Sequence, residues 1–268
     1  MNKWNFCFIF LSVITIATQA QHVYIPDTNF KKALLKKGVD TNKDNEIQLN
    51  EAKTADSLEI GWQNIRDLTG IEAFSALKFL FCGSNLLTSL DLSKNKMLRE
   101  LYCYNNKLST IKVNENSNLL ALYCSNNQLK EVNVDGCTYF QVFVCYNNLL
   151  STLKVDKNIN LRVLNCDDNQ LSTLKVNKNY ALTNLSCSHN ELTDLEISNN
   201  YNLHELFCAA NNISELNISK NTSLERLNCK NNPNLIKICM QKTQLELVSN
   251  NSNKWEIDKV VVLSSDCN

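Results

Sequence analysis

Cysteine returns every twenty-one residues through the middle of this 268-residue chain, at Cys82, Cys103, Cys124, Cys145, Cys166, Cys187, Cys208 and Cys229. Three residues after each comes an asparagine: Asn85, Asn106, Asn127, Asn148, Asn169, Asn190, Asn211 and Asn232. Two residues before each lies a bulky apolar residue, from Leu80 and Leu101 through Phe143 to Leu227, and five before lies another, from Leu77 through Phe140 to Leu224. A fixed period of this kind commits the chain to a stack of equivalent coils, because one unit cannot bury its apolar face alone and needs a neighbour on each side.

The second half of each unit repeats the first in disguise, as in Leu87, Leu90, Leu92 and Asn95, and later in Ile213, Leu216, Ile218 and Asn221. Each coil is therefore expected to hold two short parallel strands and two turns, with no room for a full helix. Alternate residues of a strand point to opposite faces, so the Leu and Cys positions form the core and their neighbours face outward. The asparagines read as turn residues whose amides satisfy backbone groups of adjacent coils. One rung departs: Cys137 stands where Asn116 and Asn158 stand in neighbouring coils. Off the ladder and at a turn, it is the one thiol expected to reach the surface.

The repeat unit, LxxLxCxxNxLxxLDLxxN, resembles the leucine-rich repeat family, particularly bacterial secreted members with 21-residue coils and, more distantly, the internalin-like group. The resemblance covers residues 77–235, and Leu58, Ile60, Ile65 and Leu68 make residues 57–76 look like a degenerate first coil. It implies a mostly β solenoid that serves as a binding scaffold and not as an enzyme, with ligands that differ from member to member.

The two ends leave the pattern. Residues 1–20 carry Lys3, an apolar run from Phe6 to Ala17, and Thr18-Gln19-Ala20, which together read as a cleaved secretory signal peptide. The run is shorter than a membrane-spanning helix needs, and no other stretch is apolar enough. The mature protein is expected to be periplasmic, released or at the cell surface, without membrane insertion, where disulfides persist. Residues 236–268 should form a lid over the last apolar layer. Cys239 and Cys267 fall outside the repeat and bracket that lid, so a disulfide between them is expected to pin it.

Residues 21–56 read as a small helical cap, with Asn29 to Lys37 and Asn50 to Asp56 as its helices. Between them, Asp40 to Glu51 resembles an EF-hand calcium loop. The template assigns side-chain oxygens to Asp40, Asn42 and Asp44, a backbone carbonyl to Glu46, a water-mediated contact to Gln48 and a bidentate carboxylate to Glu51. Asn45 replaces the usual glycine and tolerates a left-handed backbone better than most residues. A single hand of this type implies weak calcium binding, roughly 10⁻⁴ to 10⁻³ M. The competing reading is an acidic turn held by its own hydrogen bonds.

Charge excludes one class of partner. Lys+Arg 27 and Asp+Glu 27 cancel, and the sequence pI is about 6.8, so no basic footprint for nucleic acid exists. The row of eight cysteines contains no CxxC pair, and zinc needs ligands that converge. Parallel side chains also make a disulfide dihedral hard to reach, so these are expected to be reduced core thiols. Asp168, His189, Ser186 and Ser188 sit close enough across coils to suggest a hydrolase triad, but no glycine-rich oxyanion loop accompanies them. His22 and His204 suggest no metal.

The outward positions of the Cys-bearing strands are more informative. Phe79, Phe81, Tyr102, Tyr104, Tyr123, Val142, Val144 and Tyr146 crowd the first four coils, whereas Asn165, Asp167, Ser186, Ser188, Asn228 and Lys230 follow. The opposite strands show Lys112, Asn133, Lys154, Lys175, Glu196 and Asn217, a solvated surface. An outward aromatic strip is a contact surface for a protein or glycan partner. Two alternatives stand beside it: cross-strand stacking that only stabilises the array, and a structural or adhesive envelope spacer with no discrete ligand site.

Overall fold

The computed structural model describes residues 21–250 and 254–267; the segment read as a signal peptide lies outside them. Each coil contributes one strand to a ten-stranded parallel sheet: Ser57–Glu59, Phe79–Phe81, Glu100–Tyr102, Ala121–Tyr123, Val142–Val144, Val163–Asn165, Asn184–Ser186, Glu205–Phe207, Arg226–Asn228 and Trp255–Glu256. The register is that of the repeat, with Leu101 paired to Leu80 and Leu122, and Phe143 to Leu122 and Leu164. Residues two positions apart in each strand are fully buried, Leu80 with Cys82 and Leu101 with Cys103, while their neighbours are half-buried.

The second strand of each coil is less complete than expected. Among the described residues it pairs only at the ends of the stack, Ser89–Asp91 with Thr110–Lys112, and Lys237–Cys239 with Glu215–Asn217 on one side and Val262–Ser264 on the other. Between them a single bridge joins Lys154 to Lys175. Val132, Leu153, Leu174 and Leu195 are nonetheless buried to within 7% exposure or less. Burial of the apolar positions, not a strand ladder, is what the repeat encodes there.

Asparagine holds the coils together. In Asn106 the side-chain oxygen accepts from the Leu87 N–H of the preceding coil at 3.0 Å, and the amide nitrogen donates to the Cys82 and Cys103 carbonyls, both at 3.1 Å. The same three bonds recur up to Asn232. A turn whose carbonyls would otherwise be orphaned inside the stack is thereby satisfied. The residue before each of these asparagines is left-handed, at Ser84, Asn105, Asn126, Asn147, Asp168, His189, Ala210 and Asn231. A second file, Asn95, Asn116, Asn158, Asn179, Asn200 and Asn221, is fully buried on the other turn. Asn158 there donates to the Val134 and Cys137 carbonyls, each at 3.0 Å.

Cys137 occupies this second file, and the expectation that it reaches the surface is wrong. It is fully buried, and its thiol donates to the Val113 carbonyl at 3.3 Å. The rung looked like a surface turn because its neighbours are polar, yet the asparagines of this file are themselves core residues. Cysteine keeps one of their two hydrogen bonds. Among the described residues all nine free cysteines are buried, including the eight of the ladder.

Both ends are closed. Helix α1, Thr28–Lys36, buries Phe30, Ala33 and Leu34, and Asp27 caps it by accepting from the Asn29 and Phe30 N–H groups. The other oxygen of Asp27 accepts from the Arg66 N–H at 2.7 Å and that of Asp67 at 3.1 Å, which ties cap to first coil. Helix α2, Leu49–Ala52, is shorter than its expected span. At the far end, helix α3, Lys242–Asn250, supplies Gln244, which donates to the Ile218 and Asn221 carbonyls. Glutamine there does the work of the next asparagine in the file. The Cys239–Cys267 disulfide joins this lid to the last coils, with a Cα separation of 5.4 Å.

Candidate functional site

The outward side chains of the long sheet form a connected row of rings at its N-terminal half. Tyr102 and Tyr123 lie face to face, with centroids 4.5 Å apart and planes within 6°. Phe79 meets Tyr102 at 5.5 Å, and Phe81 meets Tyr102 at 6.5 Å and Tyr104 at 5.9 Å. Offset and edge-on rings at these separations attract one another beyond their burial. Each of these side chains, with Val142, Val144 and Tyr146, remains half-buried. The rings both stack and present surface.

The row extends one coil further than the sequence pattern shows. Trp62, 66% exposed, meets Phe81 edge-on at 4.7 Å. Phe81 can lie flat there because its two flanking positions are glycine. A Cβ on Gly61 would stand 2.3 Å from its ring, and one on Gly83 would stand 2.8 Å away. Beside them a cavity of about 220 Å³ opens between α1 and the sheet, lined by Ala33, Lys36, Gln63, Trp62 and Phe81 among others. The signal for Trp62 was its place two residues after Ile60, the counterpart of the ladder cysteine, in a coil too degenerate to be aligned with certainty by motif.

Further along the sheet the surface becomes polar. Asp167 accepts from the Ser186 hydroxyl at 2.6 and 2.7 Å and from the Ser188 N–H at 2.6 Å. Burial raises its pKa against those donors. Asp168 and His189 are instead exposed residues of the left-handed file. The Ser186 hydroxyl is thus spent on Asp167, that of Ser188 accepts from the Ala209 N–H at 3.2 Å, and the imagined triad is not assembled. Glu205 accepts from Asn184 at 2.6 Å and pairs with Arg226 at 2.8 Å.

In the Asp40–Glu51 loop the carboxylates close on the backbone. Asp40 accepts from the N–H groups of Lys43 and Asn45, at 2.7 and 2.9 Å. Glu51 accepts from Thr41, Asn42 and Gln48. Burial raises the Glu51 pKa, and these donors outweigh it, leaving the pKa lowered. Lys43 and Asn45 are left-handed, at φ 63° and 66°, so asparagine does substitute for glycine at the sharp turn. Ile47 is buried, and its carbonyl accepts from the Val23 N–H at 2.8 Å. The oxygen-only donors suit a hard cation in kind. Among the described residues no three His, Cys, Asp or Glu side chains gather as a metal site. Asn42 and Gln48 direct their amide nitrogens at Asp44, at 3.0 and 2.6 Å.

A parallel stack with one long sheet, an asparagine file and a buried cysteine ladder defines a leucine-rich-repeat solenoid. No family model matches the sequence, and no curated protein does. Among solved structures, the functional domain of InlJ from Listeria monocytogenes, described as including a cysteine ladder, superposes with a TM-score of 0.74 at 31% identity over 83% of this chain and 52% of that one. A leucine-rich-repeat protein of Leptospira interrogans matches with a TM-score of 0.60 and 28% identity, over 70% and 50% of the two chains. Internalin InlF of Listeria monocytogenes shares the fold at 16% identity, with a TM-score of 0.59 over 95% of this chain and 100% of that one. The chain spans about half the length of the first two. The fold is internalin-like, and solenoids of this type are binding scaffolds whose long sheets line extended contact surfaces. Among the described residues no helix is long and apolar enough to cross a membrane.

Proposed function

We propose that this is a secreted or cell-surface binding protein that presents the ring row of its long sheet to a protein partner. The observation that carries this reading is the continuity of the row from the exposed Trp62 through the half-buried Phe81, Tyr102 and Tyr104 to Tyr123, preorganised by ring contacts. Rigid aromatic surface loses little entropy on binding and dominates interface energetics. A disulfide at the C-terminal lid is compatible with an extracellular site of action.

The test places a photo-crosslinking residue at Tyr146, at the margin of the row, on cells that express the protein. Tyr102→Ser with Tyr123→Ser should reduce the recovered crosslink at least tenfold, about 1.4 kcal/mol or more, while the thermal midpoint moves little. Undiminished crosslinking would assign the rings to stabilising the stack alone.

A second proposal concerns the cap: Asp40, Asn42, Asp44, Gln48, Glu51 and the Glu46 carbonyl take calcium weakly once Glu51 turns inward from its backbone donors. Calcium would supply a charge that draws these oxygens together and stiffens the cap. With a dissociation constant of about 10⁻³ M, calcium at about ten times that concentration stabilises by roughly 1.4 kcal/mol. For a domain of this size the melting midpoint should then rise by about 3–5 °C over a chelated sample. An unchanged midpoint, with no heat of binding in calorimetry, would leave the loop as an acidic turn.

A further inference from the structure

Away from the long sheet, the turn that follows the second half of each coil carries a row of large apolar side chains in solvent. Ile159, Tyr180 and Tyr201 are twenty-one residues apart and each is 54% exposed, and Tyr139, 59% exposed, joins them one residue out of register on the preceding coil. Their backbones are stacked. Asn179 and Asn200, the residues just before the two tyrosines, donate to the Asn158 and Asn179 carbonyls, both at 2.8 Å. Successive members therefore sit about 4.8 Å apart, and the row is roughly 15 Å long. Scattered apolar residues on a surface need no explanation, but four on adjacent rungs of one turn form a patch.

Three observations narrow the occupant. Large side chains of this kind carry roughly 150–250 Å² each, so at this exposure the row presents on the order of 400 Å². A stable protein interface needs about 800 Å² from each side, so the row alone is too small for a dimer. An added peptide strand is disfavoured too, because two carbonyls along the turn already accept: Asn160 donates to Thr138 and Asn202 to Tyr180, both at 3.1 Å. Those bonds leave the side-chain oxygens of Asn160 and Asn202 as acceptors beside the rings. Ala181 takes the position between them, a shallow break in the polar margin.

We propose that this turn row binds an extended β-linked chain of N-acetylhexosamine units. Pyranose faces and acetamido methyl groups stack on rings without needing backbone partners, and acetamido N–H groups and hydroxyls can donate to the asparagine oxygens. One sugar of an extended β-linked chain has nearly the length of one coil rise, so successive units can meet successive rungs. This site is independent of the ring row on the long sheet, and neither proposal requires the other.

The experiment titrates the purified protein with soluble chitin hexasaccharide by calorimetry and sediments it with chitin particles. Tyr180→Ser with Tyr201→Ser should weaken binding at least tenfold, whereas Tyr24→Ser, an exposed tyrosine elsewhere, should leave it within twofold. Circular dichroism of all variants confirms the fold, which exposed substitutions should preserve. Absence of binding by the intact protein would overturn the proposal, as would binding that ignores the double substitution. A concentration-dependent dimer in sedimentation velocity, abolished by the same pair, would assign the row to a second copy of the chain instead.

Discussion

Alkaline unfolding between about pH 9 and 10.5 is the expected result of holding nine free thiols inside the stack. Burial raises each of them, with Cys82, Cys124, Cys137 and Cys229 pushed up to about 12 from an ordinary 9.0, and the other five also raised. The sign follows from which state keeps its protons. Below the unfolded value both states hold the thiol neutral, so its stabilisation is fully present; above it the unfolded chain releases protons that the folded chain retains, and stability falls with pH. At pH 10 each thiol of ordinary value favours the unfolded state by about 1.4 kcal/mol. Nine acting together reach about 13 kcal/mol, as large as the whole stability of an ordinary domain, 5–15 kcal/mol. Far-UV circular dichroism and thiolate absorbance, followed together in reductant, should change in one steep transition. Thiolate that forms near pH 9 while the β signal persists would show that the ladder is open to solvent.

The same burial defines what the ladder does. A thiol shielded this way is a poor nucleophile, because thiolate is the reactive form. In an oxidising compartment the interior cysteines are protected by the coils themselves, and the exposed Cys267 and the nearly buried Cys239 form the disulfide. Among the described residues the lid is the one place where oxidation adds a covalent tie, and it is also where the stack runs out of identical neighbours.

The stack was legible in the sequence because its period is set by packing: every inward slot is filled by a residue that must be buried, and every Asn106-type slot by one whose amide spans three backbone groups. What could not be read is where equivalence fails. Along the second strand Val132, Leu153, Leu174 and Leu195 are buried although the ladder there is reduced to one bridge. Cys137 was misplaced because a thiol at a polar turn gives no local sign that the turn closes over it. The outward rings from Phe79 to Tyr146 were visible as a pattern. Trp62 and the turn row of Ile159, Tyr180 and Tyr201 were not, since exposure depends on which face a turn offers and turns have no simple alternation. The acidic loop was recognised by its spacing, but whether six oxygens converge is a question of side-chain rotation that spacing does not decide.

Gly136 marks the sharpest conflict between repeat and structure. Its slot is filled by Glu115 in the coil before and by Lys157 and Lys178 in the coils after, so the repeat pattern recommends lysine. Lys157 even forms an ion pair with Asp135 at 2.9 Å. Yet a Cβ on Gly136 would stand 1.8 Å from the carbonyl oxygen of Asn114, a backbone atom that cannot swing away. Cys137, next in sequence, stands where neighbouring coils place asparagine. Gly136→Lys should therefore destabilise the protein by about 3 kcal/mol, the upper end of the usual cost of overpacking, and lower the melting midpoint by roughly 6–12 °C. The reverse change at an equivalent slot, Lys157→Gly, removes an exposed ion pair and should cost no more than about 1 kcal/mol. Thermal and urea unfolding of the two variants separates the explanations. If both cost the same small amount, the close approach relaxes freely and the rung is an ordinary one; a large loss confined to Gly136→Lys shows that the Asn114 carbonyl does not give way.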